Sequence, residues 1–150
     1  MRKVAAWLCV GIIVIWAGAF FLLKSAHDRV TAEMVSVAEQ LPVPADWTVQ
    51  SENVESEKLV CLNANPCPSL SRTWQADREL RVEDLRSLAE SAGWDVQIDG
   101  DCQRPEGAIG RRSVCSAEAT DRGYDIQLRV DSSDQGSASQ LWLHLEASGG

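Results

Sequence analysis

The chain has 150 residues, 45% of them apolar and 24% charged, with a formal net charge of −8. That is enough chain for one folded domain and an appendage. All 22 acidic residues lie from Asp28 onward against 11 Lys and Arg there, so that part carries about −11 and offers no basic surface to nucleic acid. Collagen-like, low-complexity and repeat architectures are excluded by the same composition.

The apolar residues are unevenly spread. Residues 4–23 (VAAWLCVGIIVIWAGAFFLL) hold 18 apolar residues, two Gly and no charge. As a helix such a segment rises about 30 Å, the hydrocarbon thickness of a bilayer. Trp7 and Phe20 lie toward its two ends, where rings suit the interface, while Trp16 sits deeper. A cleaved signal peptide is the rival reading, with Arg2 and Lys3 as its basic start. The apolar run is too long for that, and the small-residue triplet Ala17-Gly18-Ala19 is followed by Phe-Phe-Leu-Leu instead of a polar start. Cys9 follows Ala-Trp-Leu, with a Trp where a lipoprotein signal needs a small residue. The expectation is an uncleaved single-pass anchor in the cell membrane. Arg2 and Lys3 on one flank, against Lys24 and Arg29 offset by Asp28 and Glu33 on the other, place residues 1–3 in the cytoplasm and the rest outside.

Cysteine usage agrees with export. Beyond Cys9 there are four, Cys61, Cys67, Cys102 and Cys115, an even number that reads as two disulfides with three possible connectivities. The sequence-local pairing is preferred: Asn and Pro between Cys61 and Cys67 favour a turn, and Cys102 and Cys115 bracket a Gly-, Arg- and Pro-rich loop. Zinc prefers closer cysteine pairs than these, and no metal or cofactor site is expected.

Residues 24–44 read as a stalk helix ending in a proline linker. Val30, Met34, Val37 and Leu41 form a heptad-type stripe, either a homodimer seam above the bilayer or a face packed on the chain's own domain. Leu41-Pro42-Val43-Pro44 stops the helix. A domain over residues 45–147 follows, with a frayed tail at 148–150.

Within it, Trp47–Gln50, Lys58–Leu62 and Leu70–Trp74 read as strand pieces. A helix places Val82, Leu85, Leu88, Ala89 and Ala92 on one face, has Glu83 and Asp84 in its first turn, and stops at Gly93. Then Trp94–Asp99, Ser113–Ala119, Tyr124–Asp131 and Gln140–Ala147 alternate with period two, the pattern of an antiparallel meander with one buried face. The expected fold class is α+β: a transmembrane helix and stalk helix, then a small antiparallel sheet with one packed helix, stapled by two disulfides.

Strand parity separates two faces. Leu141, Leu143 and Leu145, with Ile126, Leu128 and Val130, point to the helix. Gln127, Arg129, Trp142 and His144 point away, alongside Asp125, Asp131 and Glu146. A Trp beside a His on a polar face is the least expected feature of the chain. These four residues are the candidate binding site, since exposed aromatics and Arg mark interfaces. Trp47, Trp74 and Trp94 read as core, because no Phe lies beyond residue 21.

Motifs for enzymes are sparse. There is no Gly-x-Ser-x-Gly, phosphate-binding glycine loop, His-Glu-x-x-His or calcium loop, and Asp99-Gly100-Asp101 reads as a turn. The sequence therefore points to an extracytoplasmic binding or scaffolding domain held at the bilayer through residues 4–23, with a protein or another envelope component as partner. The alternative is a small cell-envelope enzyme or enzyme modulator that uses the polar face around His144.

Overall fold

The computed structural model describes residues 28–56, 68–132 and 138–148, together with helical positions 16, 18, 20, 22, 24 and 25. Most of the expected anchor, the strand piece Lys58–Leu62 and the pair Cys61 and Cys67 lie outside the described residues. Among the described residues, no helix is long and apolar enough to cross a membrane.

Among the described residues the fold is α+β, with a six-stranded antiparallel sheet and two helices. In chain order these are α1 (28–38), β1 (Thr48–Glu55), β2 (Ser69–Gln75), α2 (Val82–Ser91), β3 (Gln97–Gly100), β4 (Arg112–Asp121), β5 (Tyr124–Ser132) and β6 (Gln140–Ala147). The strand order is β1-β2-β6-β5-β4-β3. A hairpin forms one edge, α2 carries the chain to the other, and the meander β3 to β6 returns until β6 pairs with β2. The last strand thus closes onto the first hairpin, with Leu70 opposite Leu145 and Trp74 opposite Leu141.

The predicted alternation holds in β5 and β6. Tyr124, Ile126, Leu128 and Val130, and Leu141, Leu143 and Leu145, are all buried. Both helices deliver side chains to this core: Leu85 and Ala89 from α2, Met34, Val37 and Ala38 from α1, and Leu41 just beyond it. One packed helix was expected; there are two. The physical reason is area. Five long strands expose more apolar face than a ten-residue helix covers, and burying each aliphatic side chain stabilises by about 1.5–3 kcal/mol. The stripe of Met34, Val37 and Leu41 is accordingly occupied by the chain's own core. The Tyr124 hydroxyl donates to the Val30 carbonyl (3.0 Å), pinning α1 to the start of β5.

β3 is shorter than the run Trp94–Asp99 suggests. At the end of α2 the Gly93 amide donates to the Glu90 carbonyl and the Trp94 amide to the Ala89 carbonyl, both at 2.9 Å, with Gly93 at φ +80°. This is the Schellman arrangement, in which a left-handed residue satisfies the last helical carbonyls. It folds Trp94 back into the core and delays the strand to Gln97. β1 in contrast runs on to Glu55, through a bulge at Gln50, because β2 supplies a partner along its whole length. The β4–β5 hairpin turns on Arg122 and Gly123, both at positive φ as a two-residue turn demands.

A disulfide joins Cys102 to Cys115 (Cα–Cα 4.6 Å), one of the two expected bonds. Gly100, paired with Cys115 at the end of β3, has φ +89°, and a Cβ there would lie 2.5 Å from the Val114 carbonyl oxygen. Only glycine lets the strands close at that point.

At the start of α2, Asp84 accepts hydrogen bonds from both Arg78 terminal nitrogens (2.8 and 2.7 Å) and from the Arg81 amide (2.9 Å). The Arg78 hydrogen bonds, aided by the Arg81 amide, hold the Asp84 carboxyl below its ordinary range, with partial burial opposing them. A folded-state value below the unfolded one stabilises the fold at neutral pH, and that contribution disappears as pH falls through the carboxylate range. The stability difference between wild type and Asp84→Asn, read from urea midpoints, is therefore expected to be largest near neutrality. It should shrink between about pH 5 and pH 2.

Candidate functional site

All helical cover seen in the described residues lies on the apolar face, and no described helix lies on the opposite face of the sheet. Pairing in β5 and β6 puts Arg129 directly opposite Trp142, and Gln127 directly opposite His144. The four residues singled out in the sequence are thus two adjacent cross-strand pairs at the centre of one face.

Their side chains form a stack. The Arg129 guanidinium carbon lies 4.5 Å from the centroid of the Trp142 ring. The His144 imidazole is parallel to that ring, 5.2 Å away with an interplanar angle of 3°. Arg129 also reaches Asp131 (Nε to Oδ1, 3.1 Å), and His144 Nε2 lies 3.5 Å from Glu146 Oε2. The Trp142 ring is therefore partly buried. Its neighbours shield it, a device the residue pattern did not reveal. His144 keeps 26% of its side chain exposed, while its Nδ1 is buried with no hydrogen-bond partner among the described residues.

Beside the stack the twisted sheet forms a shallow depression of about 420 Å³. Glu118, Asp125 and Glu146 line it together with Gln97, Thr120, Gln127 and His144, and no Lys or Arg is among its described lining residues. Two of the three carboxylates accept from neutral groups: Thr120 Oγ1 donates to Asp125 (3.1 Å) and Gln127 Nε2 to Glu118 (3.4 Å). Glu118 escaped the sequence reading because β4 carries small residues, Ala117 and Ala119, on the parity where β5 and β6 carry large ones. The polar series Ser116, Glu118, Thr120 was the available signal.

Among the described residues, no three His, Cys, Asp or Glu side chains gather as a metal-binding group. What the face can do chemically is recognise. It offers a guanidinium-backed indole, an imidazole, amide groups and carboxylates on a rigid support. The chain matches no protein-family model, no curated protein and no solved structure.

Two substitutions separate a surface stack from a core. Trp142→Ala removes a cation–π contact and a cross-strand pair, together about 1 kcal/mol. Leu143→Ala leaves a cavity under the helices and should cost about 2–5 kcal/mol in urea denaturation. Equal losses would make Trp142 a core residue.

Proposed function

We propose that this chain is a membrane-anchored, extracytoplasmic binding module that recognises a protein or another envelope component through its polar sheet face. The observation that carries the reading is the Arg129–Trp142–His144 stack at the centre of a face that no described helix covers. Aromatic and Arg side chains held rigid at the centre of a surface are the residues on which binding energy concentrates. A sheet needing only solubility would place small polar residues there, as β2 does with Ser71 and Thr73. The uncharged segment 4–23 and the cysteines beyond it support the anchored, exported placement.

Photocrosslinking in intact cells tests this. A benzoylphenylalanine at Gln127, on the polar face, should give a discrete protein adduct, and the same probe at Glu90, on the outer side of α2, should not. Adding Trp142→Ala should deplete the Gln127 adduct while the protein remains at its normal level. Equal labelling from both positions, or none from Gln127, would overturn the reading.

A further inference from the structure

One feature lies at the opposite end of the molecule from the depression. Between β3 and β4 the chain makes a loop, Gln103–Arg111, whose side chains are used in an unusual way. Arg104 is only 8% exposed, and its guanidinium donates inward to the Ser132 carbonyl (3.1 Å) and to the Ala108 carbonyl. The Cys102–Cys115 disulfide clamps the base of the same loop. With Ala108 held from inside, the next residue, Ile109, is 93% exposed, and Arg111 and Arg112 beside it are exposed as well. Gly107 and Gly110 on either side have φ of +74° and +77°, so the turn geometry suits glycine at both places. A buried cation and a disulfide brace a loop that presents Ile109 and two guanidinium groups to solvent, with the Glu106 carboxylate exposed on the same loop. Bracing of this kind lowers the ordering cost of association.

The complementary surface is on the same chain. We infer that the loop of one copy docks, through Ile109, Arg111 and Arg112, into the acidic depression of a second copy. This rests on reading the polar face as a recognition surface. The depression offers Glu118, Asp125 and Glu146 with no Lys or Arg among its described lining residues, a charge complementary to Arg111 and Arg112. A loop cannot fill the depression of its own copy, because Arg112 and Glu118 are six residues apart along β4, about 20 Å. Two antiparallel copies can make this contact reciprocally, and copies that make it once each build rings or open chains.

The test uses the full chain in a non-ionic detergent, with protein mass followed by sedimentation against concentration. Wild type should show mass rising with concentration and falling with added salt, as screened charge pairs require. Arg111→Glu with Arg112→Glu should abolish the rise, and so should Glu118→Lys with Glu146→Lys. An equimolar mixture of the two variants should restore it, because each then meets an opposite charge, and restoration also shows that both are folded. A wild type of constant mass, variants that associate like wild type, or a mixture no better than its components would each overturn the inference. If the mixture fails while the Gln127 photoadduct to another protein persists, the self-docking falls and the recognition surface stands.

Discussion

A sheet with large apolar residues on one face must be covered there, and everything else in this molecule follows from how that cover is supplied. Seven inward-facing residues of β5 and β6 form the floor of the core, and α2 alone is ten residues long. The chain meets the shortfall by drawing α1 onto the same face, with Met34 and Val37 fully buried and the Tyr124 hydroxyl anchoring the helix. Because both helices sit on one side, the other side of the sheet is left for side chains that fold stability does not require. The buried face thus fixes which side chains remain available at the surface.

Polar groups at the margins serve the same construction. Ser139 is buried where the chain enters β6; its hydroxyl accepts from the Leu80 amide and its carbonyl from the Ala76 amide, stitching the approach to α2 onto the sheet. Arg72 lies on the apolar side of β2, and its charge is met by Glu52 across the strand pair (2.8 Å) with Trp74 alongside. A paired charge at the rim of a core is tolerated, whereas an unpaired one there would cost several kcal/mol, on the order of 3–5. These contacts hold the strands in register, which keeps Trp142 and His144 on the outer face; a slip of one residue would send both inward.

Much of this was legible in the residues. Period-two alternation placed β5 and β6 and separated their faces correctly, and Gly93 marked the end of α2. Parity put Arg129, Trp142, His144 and Gln127 on one face; which of them stand opposite each other depends on the β5–β6 register, which a slip of two residues would change without altering the faces. What the pattern could not carry was long-range choice. The stripe Val30, Met34, Val37, Leu41 fits a second chain or the chain's own sheet equally well in sequence, and only the uncovered area of the sheet decides between them. Trp94 looked like the first residue of a strand because the Schellman turn that withdraws it depends on helix-end geometry. The depression was missed through β4, where small inward residues hide the alternation that exposes Glu118. Of the two expected disulfides, Cys102–Cys115 is present, while Cys61 and Cys67 lie outside the described residues.

Among the described residues this sheet has one face sealed by helices and one that no helix covers. Hydroxyl-radical footprinting of the intact chain, read by mass spectrometry, compares the two directly. Oxidation is expected at Trp142 and His144, with Met34, Trp74 and Trp94 protected until the protein is unfolded. Protection of Trp142 equal to that of Trp94, or ready oxidation of Met34 in the folded protein, would contradict it.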